Sequence, residues 1–217
     1  MIKTIKVKPN SFEEEILLFK TAKFKKLNIL FGGNGVGKTT LLNGIINNRL
    51  ELETDRKLII KSYINSKDNF RHINQVTYKD MGRALLQKVN ANELSEGQSI
   101  IYSLLAYIEK TKEIASNNRD KTVVLVLDEI DSGLSAENIN MILHLICDLL
   151  KMDNIQLFIS TNHYHFVYVF KNVFNMYTGK WIEINSYDEY FNKLVKEMTS
   201  LGKIREYKFL EPTTLDF

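Results

Sequence analysis

The sequence has little of three features that would define other protein classes. Cys147 is its only cysteine, so no disulfide can form within the chain. Pro9 and Pro212 are its only prolines, and no Pro- or Gly-rich tract divides the 217 residues. No apolar run approaches the ~18 residues that span a bilayer, and the first residues lack the apolar core of a signal peptide. We therefore expect a single cytoplasmic domain over residues 1–217.

The charge balance gives no clear sign of a polyanionic partner. The net charge is +3, which is too small to indicate nucleic-acid binding by itself. The basic residues of segment 20–26 are expected to form a solvated edge, with a DNA patch as the alternative. Cys147 follows apolar residues at helical spacing, so we expect it to be a small core side chain.

Strand and helix patterns alternate along the chain. Apolar runs and alternation predict strands at residues 4–8, 15–20, 27–31, 58–63, 123–127 and 155–160, and a hairpin at 173–177 and 181–184. Helical spacing predicts helices at residues 38–46, 95–110, 135–152 and 186–199. The aromatic segment 164–170 is expected to pack in the core, with a partner surface as the alternative, and residues 203–217 to form a tail. This order predicts an α/β fold with a mostly parallel sheet flanked by helices and N-terminal antiparallel strands.

A glycine-rich loop joins the strand at 27–31 to the helix at 38–46. Residues 32–39 fit the pattern G-x-x-x-x-G-K-[ST], with Gly32, Gly37, Lys38 and Thr39 in the fixed positions. Backbone N–H groups of such a loop and the positive end of the helix stabilise phosphate groups. Lys38 adds a charge for the β- and γ-phosphates, and the Thr39 hydroxyl suits Mg²⁺. The predicted phosphate-binding residues are Gly32, Gly33, Asn34, Gly35, Val36, Gly37, Lys38, Thr39 and Thr40.

Polar residues follow two of the buried strands. Asp128 and Glu129 end the run at 123–127, and His163 comes soon after the run at 155–160. The carboxyl ends of parallel strands meet at one edge of a sheet, so these groups are expected beside the phosphate loop. We assign Asp128 to Mg²⁺, Glu129 to a general base for an attacking water, and His163 to a γ-phosphate contact. His165 is the competing candidate for that contact.

Segment 94–98, Leu-Ser-Glu-Gly-Gln, resembles the Leu-Ser-Gly-Gly-Gln signature of ATP-binding-cassette (ABC) ATPases. The chain also contains the other motifs of that family, in the family's order. They are a Walker A loop at residues 32–39, a Walker B strand at 123–129, a D-loop at 131–135 and a switch histidine at His163. Glu96 departs from the family pattern, where glycine is usual. Ser95 and Gly97 keep it.

The resemblance implies an ATPase that uses ATP and Mg²⁺ and works as a head-to-tail homodimer. Ser95, Gly97 and Gln98 of one copy would contact the ATP held by the Lys38 loop of the other. The resemblance also implies a glutamine contact to the γ-phosphate and an aromatic stacked on adenine. Gln75 or a residue near Asn65 is a candidate for the first, and Phe12 or Phe24 for the second.

The spacing of the motifs bears on the branch of the family. Ser95 lies only 57 residues after Lys38, which leaves room for a reduced helical lobe at about 65–115. By resemblance, this favours an ATPase of the soluble branch that includes chromosome-maintenance and DNA-repair heads. Such a protein would regulate a protein effector, for example a nuclease in antiphage defence, and DNA is a further candidate partner. The alternative is the ATPase subunit of an ABC membrane transporter.

Overall fold

The structure, a computed structural model, describes residues 1–64, 96–132 and 134–200. The strands are β1 (Ile2–Lys6), β2 (Thr21–Lys23), β3 (Leu27–Phe31), β4 (Glu51–Thr54), β5 (Leu58–Ile64), β6 (Thr122–Asp128), β7 (Ile155–Ser160), β8 (Asn172–Asn175) and β9 (Lys180–Glu183). The helices are α1 (Phe12–Ile16), α2 (Lys38–Ile46), α3 (Glu96–Asn117), α4 (Ala136–Leu150), α5 (Tyr164–Phe170) and α6 (Tyr187–Ser200). Among these helices, none is long and apolar enough to cross a membrane.

A six-stranded sheet forms the centre of the fold, in the order β5-β6-β7-β3-β8-β9. All neighbours pair in parallel except β8 and β9, which form the antiparallel hairpin that the sequence predicts. A second sheet, in the order β2-β1-β4, is antiparallel and N-terminal. The predicted fold class is therefore confirmed: a mostly parallel sheet with helices and N-terminal antiparallel strands.

Strand β6 shows why helices cover the central sheet on both faces. All seven of its residues are buried. Val123, Leu125 and Leu127 belong to one apolar cluster, while Val124 and Val126 belong to another, because successive side chains point to opposite faces. The first cluster contains buried residues of α3, α4 and α5, and the second those of α2 and the N-terminal sheet.

One strand prediction near the N-terminus is wrong. Residues 15–20 were expected to be extended, but α1 ends at Ile16 and the next strand begins only at Thr21. The reason is local capping at the start of α1: the Ser11 hydroxyl accepts a hydrogen bond from the Glu14 N–H, and the Glu14 carboxylate accepts one from the N–H of Asn10, the residue before the cap. These local hydrogen bonds outweigh the weak alternation of apolar residues.

Two other differences concern helices. Cys147 was expected in the core but is exposed. Helix α4 buries Ile142, Leu143 and Ile146, and Cys147 lies just outside that stripe, so its position on the helix and not its residue type decides its exposure. Segment 164–170 is helical, and Phe166 and Val167 are buried while Tyr168 and Val169 are exposed. Core packing is therefore confirmed for the first pair only, and a partner surface at the second pair stays a prediction.

Part of the predicted helical lobe packs on the central sheet. Helix α3 extends to Asn117, beyond the predicted end at 110, and its Leu104 and Ile108 belong to the same cluster as Leu125 of β6. The rest of the lobe, together with Asn65, Gln75 and the tail at 203–217, lies outside the described residues.

Helix α4 provides a test of the packing. Replacing Ile142, which is fully buried, by Ala leaves a cavity and should lower the free energy of unfolding by about 2–4 kcal/mol. The adjacent Met141 is 47% exposed, and Met141→Ala should change it by less than about 0.5 kcal/mol. Urea titration of both variants measures the difference, and equal effects would contradict the helix orientation described here.

Candidate active site

The glycine-rich loop between β3 and α2 has the geometry of an anion-binding loop. Gly35 and Gly37 adopt φ values of 75° and 94°, a left-handed conformation that favours glycine. Gly37 caps α2 and, lacking a side chain, makes no side-chain hydrogen bond to the first N–H groups of this helix. Those N–H groups and the positive end of the helix are thus available to a phosphate.

Lys38 is the buried charge of this loop. Its side chain is only 7% exposed, and its ammonium donates to Gly32 O at 2.6 Å, Gly33 O at 3.2 Å and Asn162 Oδ1 at 2.9 Å. Burial lowers the pKa of Lys38, while the nearby carboxylates of Asp131, Asp128 and Glu129 oppose the shift. An anionic phosphate would supply a stronger partner for this ammonium than neutral carbonyl oxygens do.

Thr39 and Asp128 bring two oxygen ligands together. The Thr39 hydroxyl lies 3.4 Å from Asp128 Oδ1, and Asp128 is almost completely buried at the end of β6. Among the described residues, no group of three or more His, Cys, Asp and Glu side chains could hold a metal. The Thr39 and Asp128 oxygens suit a hard cation such as Mg²⁺, which prefers oxygen ligands and completes its shell with phosphate and water oxygens.

Glu129 lies in an unusual backbone conformation at the end of β6. Its φ is 54°, in the left-handed region that costs non-glycine residues about 1 kcal/mol or more. Its N–H donates to Ser160 O at 3.2 Å, and its carbonyl accepts from the Ser132 N–H at 3.2 Å. These bonds hold the turn in which Glu129 lines the same cavity as Lys38.

That cavity has a volume of about 440 Å³ and lies at the carboxyl edge of the sheet. The structure brings to it these predicted residues: Gly33, Asn34, Gly35, Gly37, Lys38, Thr39, Thr40 and Glu129. Of the other predicted residues, Val36 packs in the core, and Gly32 and Asp128 lie behind the lining and contact Lys38 and Thr39. Ile16, Ser160 and Asn162 also line the cavity and were not predicted from the sequence.

Asn162, and not its neighbour His163, meets Lys38. Asn162 lines the cavity, whereas His163 is outside the lining and caps α5, with Nδ1 accepting from the His165 N–H at 3.3 Å. Burial lowers the pKa of His163, and His165 adds to the shift while Asp131 opposes it. One feature of the sequence could have indicated Asn162: it lies one residue nearer than His163 to the end of β7.

The structure distinguishes the two candidates for adenine stacking. Phe24 is buried, and its ring centroid lies 5.2 Å from that of Phe158 and 4.7 Å from that of Phe174 in tilted contacts, so it belongs to the core. Phe12 is 59% exposed on α1, one turn before Ile16 of the cavity lining, and stays a candidate for adenine stacking.

The signature segment is only partly described. Gly97 and Gln98 lie near the start of α3 as the structure has it, and Ser95 lies outside the described residues. The contact of Ser95, Gly97 and Gln98 with a nucleotide on a second copy therefore stays a prediction.

Tyr177 and helix α6 pack against the phosphate loop at Gly33. The Gly33 N–H donates to the Tyr177 hydroxyl at 3.0 Å, and a Cβ atom on Gly33 would lie 2.9 Å from Met198 Sδ. Tyr190 of α6 packs edge-on against Phe31, and burial raises its pKa to about 12. A side chain at position 33 would therefore require the ends of the Met198 and Tyr177 side chains to move.

The comparisons agree with this geometry. The AAA domain family matches residues 23–167, which include the phosphate loop, β6 and β7, and the chain belongs to this family. No curated protein matches the chain.

Among similar solved structures are three ATP-binding cassettes. A nucleotide-free cassette from an ABC transporter has a TM-score of 0.54 at 15% identity, covering 95% of this chain and 100% of its own. A cassette of an ABC transporter in its ADP conformation has 0.53 at 15%, covering 92% and 99%. CbiO1 from Clostridium perfringens, part of the transporter complex CbiONQ, has 0.51 at 17%, covering 94% and 98%. The chain thus has the fold of an ABC-type P-loop ATPase.

Lys38 gives the direct test of this site. Lys38→Met should weaken nucleotide binding by about 100-fold, because it removes the charge-assisted hydrogen bonds to the phosphates. Lys20, whose side chain is 89% exposed, provides the matched control, and Lys20→Met should bind nucleotide like the unchanged chain. Isothermal titration calorimetry with ADP measures both, and undiminished affinity in Lys38→Met would place the nucleotide elsewhere.

Proposed function

We propose that this protein binds ATP at the Lys38 loop and hydrolyses it to ADP and phosphate. The observation that carries the proposal is that Lys38, Thr39 and Glu129 line one cavity, with Asp128 in contact with Thr39 behind the lining. Each of these groups suits a different need of phosphoryl transfer: charge on the phosphates, oxygen ligands for a cation, and a base beside the attacking water.

The residues divide the reaction among them. Lys38 leaves its neutral partners for the phosphate oxygens, and the N–H groups of α2 hold the phosphates in place. Thr39 and Asp128 would hold Mg²⁺, which neutralises charge on the phosphoryl oxygens when it is bound. The Glu129 carboxylate accepts a proton from the water that attacks the γ-phosphorus, and ADP departs with the bridging oxygen.

The resemblance to ABC ATPases implies that a second copy of the chain completes this site. We propose that Ser95, Gly97 and Gln98 of that copy contact the γ-phosphate and that ATP holds a head-to-tail dimer together. The support is the match of segment 94–98 to the signature.

Glu129→Gln tests the reaction and the dimer together. The amide cannot accept the proton, so ATP hydrolysis should fall by about 100-fold or more. ATP then persists, and the variant should elute as a dimer with Mg·ATP and as a monomer with ADP in size-exclusion chromatography. Glu137→Gln, an exposed carboxylate in the first turn of α4, should hydrolyse ATP at the unchanged rate.

Ser95→Arg in the Glu129→Gln background separates the two parts of the proposal. The large, positively charged arginine side chain at the signature should block dimerisation while each monomer still binds ATP. A double variant that dimerises with ATP like its parent would show that the signature does not form the contact between copies.

The wider role has two candidates, and each has its own support. The similar cassettes named above come from ABC transporters, which favours an ATPase subunit of a membrane transporter. The 57 residues between Lys38 and Ser95 favour an ATPase that regulates a protein effector or DNA. The chain matches 98–100% of the length of those cassettes, so the comparison favours the transporter role.

Fractionation of cells that express the protein at its natural level decides between these roles. A transporter subunit should sediment with the membrane and, after extraction in mild detergent, purify with a multi-span protein in a fixed ratio. Recovery of the whole protein in the soluble fraction, bound to a nuclease or to DNA, would instead establish the regulatory role.

A further inference from the structure

Asn162 is held at three points around the phosphate cavity. Its N–H donates to Asp131 Oδ2 at 2.9 Å, its carbonyl accepts from the Tyr190 hydroxyl at 3.3 Å, and its side-chain Oδ1 accepts from Lys38 Nζ at 2.9 Å. Asp131 follows β6, and Tyr190 is on α6, so two separate elements fix the backbone of Asn162 after β7. This fixed backbone keeps the side chain among the residues that line the cavity.

The chemistry of the Asn162 side chain suits a phosphate. Its Oδ1 faces the Lys38 ammonium, and the same amide carries an NH₂ group that can donate two hydrogen bonds. Because Asn162 lines the cavity and contacts Lys38, a phosphate that binds Lys38 would also lie close to this amide. The next residue, His163, uses its Nδ1 to accept from the His165 N–H and so stabilises the start of α5.

We propose that Asn162, through its side-chain NH₂ group, is the residue after β7 that binds the γ-phosphate and distinguishes ATP from ADP, and that His163 has a capping role. This assignment depends on the proposed ATP site. It replaces the sequence-based assignment of His163 with the neighbouring residue, and it makes the contact a neutral amide instead of a titratable imidazole.

The exchange of partners by Lys38 gives the amide a second role. In the structure, Asn162 Oδ1 accepts a hydrogen bond from the Lys38 ammonium. When ATP binds, we expect the ammonium and the amide NH₂ group to donate to the phosphate oxygens together. Both ADP and ATP gain from the release of Lys38, so this effect cancels in the ratio of their affinities. Only a contact to the γ-phosphate changes that ratio, which makes the ratio the informative measurement.

The experiment measures Kd for ADP and for a non-hydrolysable ATP analogue, with Mg²⁺, by isothermal titration calorimetry. In Asn162→Ala the preference for the triphosphate should fall about tenfold, the effect of losing one hydrogen bond to a charged group. Asn162→Asp keeps the shape of the side chain and replaces the NH₂ donor by an anionic oxygen, so the preference should fall further. His163→Ser keeps a capping oxygen, and its ratio should stay within about twofold of the unchanged chain.

The outcomes separate this inference from the proposed function. If both Asn162 variants keep the unchanged ratio, or if His163→Ser alone lowers it tenfold, the assignment of Asn162 is wrong while the ATP site stands. If the unchanged chain binds neither nucleotide, the proposed function fails and this assignment fails with it. Thermal unfolding of each variant, followed by circular dichroism, checks that the altered chains are folded.

Discussion

The buried ammonium of Lys38 is the constraint on which the site depends. A charge with 7% exposure is costly unless polar groups surround it, and here the carbonyls of Gly32 and Gly33 and the amide of Asn162 do so. These contacts connect the end of β3 with the end of β7. The site is therefore arranged around one positive charge, and an anionic ligand would improve the surroundings of that charge.

The parallel sheet explains why the remaining groups meet at this charge. Strands β3, β6 and β7 are adjacent and run in the same direction, so the loop at Gly33, the carboxylate of Asp128 and the turn at Asn162 lie along one edge. The buried apolar faces of β6 hold that edge in place. The turn at Glu129 is strained, because its positive φ is unfavourable for a non-glycine residue, and Glu129 lines the same cavity.

Much of this arrangement follows from the sequence because it rests on strong local patterns. The loop at 32–39, the buried run of β6 and the capped helices α4 and α6 depend on spacing within a few residues. The errors arise where contacts distant in sequence decide. Asn162 was missed because its contact with Lys38, 124 residues away in sequence, is one that no local pattern predicts. Cys147 was misplaced because its residue type favours burial but its angular position on α4 does not.

The central claim is that the phosphates of a nucleoside triphosphate replace the present hydrogen-bond partners of the Lys38 ammonium. A crystal structure of the Glu129→Gln variant with Mg·ATP measures this directly, since the distances from Lys38 Nζ to its partners can be read from it. The account predicts that Nζ lies within 3.2 Å of β- and γ-phosphate oxygens, as expected of a charge-assisted hydrogen bond. A bound nucleotide at another place, with Nζ still on the oxygens of Gly32, Gly33 and Asn162, would contradict it.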